Sequence, residues 1–174
     1  MNDDNDIIEL RVLSDADIDP FFREINDFDI VKMTGSIPFP VTREWVIERF
    51  ETKNKQEKGG GVADRALYWR DQFIGNAGYF TNEDDNIEVG YWIARPFWGQ
   101  GLATRVTHLI VELARSHGHK GTLYAGHAKD NLASGRVLAK AGFIPDGENV
   151  FRPLSRGEDV PCWRLKLPPL KTDD

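Results

Sequence analysis

The run Trp98-Gly99-Gln100-Gly101 separates two stretches of different period, and that change of period constrains the fold more than any other feature of the chain. Before it, Ile87 to Ile93 reads as a strand. After it, Leu102, Val106, Leu109, Ile110 and Leu113 recur at helical spacing until Gly118. Leu123 to His127 is then strand-like again, so the passage is a strand–helix–strand crossover that sets two strands parallel. Around it the pattern is antiparallel. Val62–Trp69 and Phe73–Phe80 are joined by Arg70-Asp71-Gln72 as a hairpin, and Asn82 to Asn86 turns the chain into the Ile87 strand.

The remaining elements follow from caps and breakers. Ile7 to Val12 is a first strand. Ser14 or Asp15 caps a helix reaching about Asn26, with Pro20 expected to break or kink it. Thr42 caps a second helix whose apolar face includes Trp45, Val46 and Phe50, and Gly59-Gly60-Gly61 ends it. Asn131 to Ala141 is a short helix, and Phe143–Val150 and Pro161–Leu167 are strands. The expected order is β-α-α-β-β-β-α-β-α-β-β, an α+β arrangement in a single domain over 1–174, with 1–6 a frayed acidic tail. Pro161–Leu167 is expected at an edge, open to pairing between two copies as a homodimer or simply protected, as edges more often are.

Bulk properties exclude several classes. A net charge of −6 argues against nucleic acid as the main partner and is compatible with a cationic or amine substrate. No apolar run approaches the roughly 20 residues of a membrane span, and the acidic start is unlike a signal peptide. The one cysteine, Cys162, has no disulfide partner within the chain and points to a reducing cytoplasm, as a buried structural thiol. His108, His117 and His119 fall on a helix surface or in turns without metal spacing, so no metal is expected.

Two motifs carry the chemistry. Gly-x-Gly at a helix start lets backbone approach an anion where amides lack acceptors, which suits a diphosphate; an ordinary tight turn is the alternative. No Gly-Lys-[Ser/Thr] follows, and the full dinucleotide fingerprint is missing. The second motif is Asn131-x-x-Ser134-x-x-Val137-Leu138-x-Lys140-x-Gly142-Phe143, in which Asn131 and Ser134 can both cap a helix and Gly142 ends it.

Together with Glu88-Val89-Gly90-Tyr91-Trp92-Ile93, these motifs resemble the GNAT N-acetyltransferase superfamily, and more closely its RimJ/RimL-type branch, over about Ile7 to Leu167. The resemblance implies a mostly antiparallel sheet with a central parallel, splayed strand pair flanked by helices, and acetyl-CoA as cosubstrate. It implies that Trp98, Gly99, Gln100, Gly101, Leu102, Ala103 and Thr104 hold the diphosphate. The pantetheine arm would run along the main chain near Trp92 and Ile93, with a backbone N–H there for the oxyanion, and Asn131 would orient it. The acceptor would be a primary amine, either a protein N-terminus or a small molecule.

The chain departs from the family at two positions. Trp98 stands where Arg or Gln is common, and Leu138 stands where many members carry a proton-donating tyrosine. Ser134 is the replacement donor. Glu88 is the first choice of general base and His127 the second, with Glu148 and Asp146 weaker options. Trp69, Tyr79, Phe80, Tyr91 and Trp92 are candidates for an acceptor pocket. The missing tyrosine leaves an acetyl-CoA-binding sensor without turnover as the alternative.

Overall fold

A computed structural model describes residues 6–170. Seven strands form one sheet in the order β1-β2-β3-β4-β5-β7-β6. They are β1 (Ile8–Val12), β2 (Val62–Trp69), β3 (Gln72–Thr81), β4 (Ile87–Ile93), β5 (Leu123–Ala128), β6 (Ile144–Phe151) and β7 (Val160–Leu167). The helices are α1 (Ile18–Ile25), α2 (Phe28–Val31), α3 (Arg43–Lys58), α4 (Leu102–Ser116) and α5 (Leu132–Lys140). Every neighbouring pair is antiparallel except β4–β5, and that parallel pair holds only at Ile87↔Leu123 and Glu88↔Tyr124. Beyond Glu88 the two strands no longer pair with each other, although β4 stays on β3 to Ile93 and β5 on β7 to Ala128, so the sheet opens at its centre as a splay.

Alternation along the strands sorts side chains onto two faces. Ile74, Ala77, Val89 and Ile93 pack with Leu102, Val106 and Ile110 of α4 and with Leu138 of α5. On the opposite face Ala66, Phe73 and Trp92 meet Phe21, Ile25, Val46 and Phe50. Phe21 is the hub there, edge-on to Phe50 and to Trp92, each at 5.2 Å.

Three expectations change. β7 lies between β5 and β6, so the edges are β1 and β6 rather than Pro161–Leu167. The first helix starts as a 3-10 turn at Asp15–Asp17, with Ser14 N–H and Oγ both donating to Asp17 Oδ2. Pro20 then falls in the first turn of α1, where its missing amide has no acceptor to lose, and the helix runs unbroken to Ile25. Residues 1–5 of the expected frayed tail lie outside the described residues; Asp6 accepts from Trp69 Nε1 at 2.9 Å. Gln72 belongs to β3, leaving Arg70 and Asp71, both with positive φ, as a two-residue turn. Among the described residues no helix is long and apolar enough to cross a membrane.

Candidate active site

Gly99 and Gly101 adopt φ of 75° and 76°, and a methyl at either would meet nothing within 4 Å. They are therefore glycine for backbone conformation, and they leave open space beside the chain. Gly101 caps α4 in the left-handed region with no side-chain cap. The amides of Leu102, Ala103 and Thr104 have no intrahelical acceptor and sit at the positive end of the helix dipole. Leu102 is buried in the core and anchors this end. Trp98 is pinned from both sides: its Nε1 donates to Ile93 O at 2.6 Å, and the Arg95 guanidinium lies 5.0 Å over its ring. Gln100 Nε2 donates to Pro96 O at 3.2 Å.

Next to this cradle lies the splay. Trp92 O points to Gly75 on β3, so the backbone of Trp92 is turned toward β3 and its indole into the core beside Phe21. Strand alternation turns the main-chain groups of Tyr91 and Ile93 toward the open side, between β4 and β5. On the far side of the splay Asn131 Oδ1 accepts from Ser134 N–H at 3.2 Å, which caps α5. The Ser134 hydroxyl is thereby spared from capping, and it lies 2.9 Å from the Tyr91 hydroxyl. Burial pushes the Tyr91 phenol above its ordinary range, and the Ser134 contact partly offsets this. The pairing was hidden in the sequence, although alternation with Val89 and Ile93 puts Tyr91 on the α5 side.

Glu88 sits at the apex of the splay on the opposite face. Burial raises its carboxyl above the usual carboxylate range, against smaller opposing pulls from the Asn82 amide and Arg164. It lines a cavity of about 850 Å³ that also takes in His127, Tyr91, Trp92, Phe80 and Leu138. His127 Nδ1 lies 2.8 Å from Ala128 O and, since a carbonyl only accepts, donates to it. Nε2 faces α5, where a methyl at Gly135 would come within 2.8 Å of it.

The weaker base candidates are committed elsewhere. Asp146 bridges Arg164 and Lys166 at 2.8 and 2.7 Å and is held below the usual range by them, Lys166 foremost. Glu148 pairs with Lys129. Trp69 lies away from the cavity beside Phe97, and the Tyr79 hydroxyl is tied to His117 Nδ1 at 2.7 Å. Burial and the negative Glu88 both push the Cys162 thiol up, which keeps it protonated. No group of three or more metal-ligating side chains forms among the described residues.

A splayed parallel pair thus lies beside a helix start without a side-chain cap, with the half-buried Glu88 carboxylate at its apex. The family model for the acetyltransferase (GNAT) domain matches residues 8–144, and the chain belongs to that family of acetyl-CoA-dependent N-acetyltransferases. It is 30% identical over 147 residues to the uncharacterized protein YkkB of Bacillus subtilis (strain 168), covering 79% of this chain and 81% of YkkB. Its fold is similar to RimL, a ribosomal L7/L12 alpha-N-protein acetyltransferase solved with coenzyme A (TM-score 0.74, 16% identity, 90% of this chain and 92% of RimL). It is also similar to spermidine N-acetyltransferase from Vibrio cholerae with CoA and spermine (TM-score 0.78, 17% identity, 93% and 95%).

Proposed function

We propose that this chain moves the acetyl group of acetyl-CoA to a primary amine by direct attack in a ternary complex. The observation that carries the reading is Glu88 at the last paired position of β4 and β5, facing the cavity. The amides at 101–104 hold the diphosphate, with Trp98 fixing the loop and Gln100 buttressing it. The main chain of Tyr91 and Ile93 lines the pantetheine path, and the Ile93 N–H supports the oxyanion. Trp92 contributes through packing, and Asn131 sets the start of α5.

Glu88, directly or through one water, takes a proton from the ammonium and frees its lone pair. His127, whose Nε2 faces Gly135 of α5, stands on the Ser134 side of the splay and does not share this proton. As the C–N bond forms and the C–S bond breaks, Ser134 donates its proton to the sulfur, and the Tyr91 hydroxyl replaces it. The nitrogen sheds two protons overall: one restores the hydroxyl pair and one leaves to solvent.

The structural neighbours act on a protein N-terminus and on a polyamine, which supports an amine acceptor without choosing its class. The buried, unpaired Cys162 supports a reducing, cytoplasmic setting. The test is amine-dependent release of coenzyme A thiol from acetyl-CoA, with the product amide identified by mass. Tight acetyl-CoA binding with no thiol release on a panel of peptides and small amines would instead favour a sensor.

A further inference from the structure

The acceptor cavity is electrically bipolar, and one of its ends is basic. Glu88, Glu83 and Asp84 line one end. At the other, Arg49 and Lys53, four residues apart on α3, share one face of that helix. Asp64 on β2 answers only one of these cations. Its Oδ2 accepts from Arg49 Nη2 at 2.9 Å, and its Oδ1 accepts from Asn76 Nδ2 at 2.6 Å, which uses both oxygens. Two side-chain hydrogen-bonding capacities are left over. Arg49 Nε is buried with no partner, although its side chain is only 13% exposed. Lys53 is half-buried and makes no ion pair within 4.0 Å among the described residues; burial and the neighbouring Arg49 pull its ammonium below the ordinary range, with Asp64 a weaker opposing influence. The other cavity arginines are engaged, Arg164 by Asp146 and Arg152 by Asp159.

Between the two ends the sheet presents glycine at Gly78 and Gly90, bordered by the Phe80 ring, which comes within 4.0 Å of where a methyl at Gly90 would stand. Asp64, Gly78 and Gly90 are in register across β2, β3 and β4, and Glu88 is two residues along β4 on the same face. Two strand spacings and two residues of rise put Asp64 and Glu88 roughly 12 Å apart at Cα.

We propose that the acceptor is an amine whose far end is anionic, a carboxylate or a phosphate, with the amine at Glu88 and the anion held by Lys53 and Arg49. This rests on Glu88 being the amine end. An α-amino acid, with both groups on one carbon, is too short to reach both ends. An ω-amino acid, a short peptide or an aminoalkyl phosphate spans them. A polyamine puts its second ammonium against two cations, of which only Arg49 has a carboxylate partner.

The test is initial rates with aminohexanoate, aminopentyl phosphate, aminohexanol and diaminohexane, at saturating acetyl-CoA. Aminohexanoate or the phosphate should exceed diaminohexane in kcat/KM by about tenfold or more, which corresponds to a single half-buried ion pair. The better of the two anionic amines identifies the anion. Lys53→Gln should lower the ratio of the anionic amine to aminohexanol by about tenfold, and Lys53→Glu should turn the preference toward diaminohexane. Lys53 is exposed enough for both variants to fold, and thermal melts check this. Preference for diaminohexane in the parent, or a ratio unmoved by Lys53→Gln, overturns the proposal while leaving acetyl transfer intact. Absence of turnover on all four, with no calorimetric binding of aminohexanoate in the presence of coenzyme A, overturns this proposal, whereas acetyl transfer itself fails only if the wider panel of peptides and small amines also releases no thiol.

Discussion

Removing the Ser134 hydroxyl separates chemistry from folding, because the structure gives the two roles to different atoms. Ser134→Ala keeps the main-chain N–H that Asn131 Oδ1 accepts from, so the cap of α5 survives. What is lost is the 2.9 Å contact with the Tyr91 hydroxyl. A neutral hydrogen bond contributes about 1 kcal/mol, which for a chain of this size lowers Tm by about 2–4 °C. If the hydroxyl protonates the departing sulfur, general-acid loss costs about 100-fold in kcat, at the low end of the usual range, because a thiolate leaves readily without help. Tyr91→Phe should lose less than Ser134→Ala, and the double variant little more than Ser134→Ala alone, since the hydroxyls act in series. Steady-state thiol release and a melting curve on each variant measure both quantities. Ser134→Ala with parental kcat, or losses that simply multiply in the double variant, would refute the assignment.

Other expectations concern the network around the cavity. Glu88 has a raised carboxyl pKa, so its contribution to stability is full below the unfolded value and is lost as pH rises through the folded one. Glu88→Gln should therefore match or exceed the parental Tm at neutral pH, with the gap closing on acidification; a lower Tm at neutral pH contradicts this. Asp64→Ala strips Arg49 of its partner at a nearly buried site and should cost about 3 kcal/mol, or roughly 6–12 °C in Tm. A methyl at Gly78 would lie 2.2 Å from Ala63 O, whereas one at Gly90 meets only Phe80 at 4.0 Å. Gly78→Ala should thus destabilise by roughly 3 kcal/mol, and Gly90→Ala should leave Tm nearly unchanged in the same melts.

What the sequence made legible follows from local rules. The α4 limits are marked by Gly101 and Gly118, the β2–β3–β4 meander by alternation and polar turns, and α5 by Asn131 and Gly142. The four-residue α2 is shorter than the window in which periodicity shows; Asp27, accepting from Asp29 N–H, is its only local signal. The insertion of β7 between β5 and β6 is a long-range choice, since a β6–β7 hairpin pairs identically in either placement. Glu88 was legible as a strand carboxylate and the splay as a family expectation. The Tyr91–Ser134 contact spans 43 residues and the Arg49–Asp64 pair joins a helix to a strand, so neither leaves a spacing to read. The acidic net charge was compatible with cationic acceptors, yet it is an average over the surface, and Arg49 and Lys53 both line the cavity.

The pH dependence of kcat/KM, compared between the parent and Glu88→Gln on one amine, tests most directly the placement of the base at the apex of the splay. In the parent, activity should rise with pH through a limb lying above the ordinary carboxylate range, where Glu88 loses its proton, followed by the titration of the amine itself. Glu88→Gln should lose the lower limb, keep the amine's, and fall in rate by about 100-fold or more. A variant that keeps both limbs at the parental rate would contradict the account.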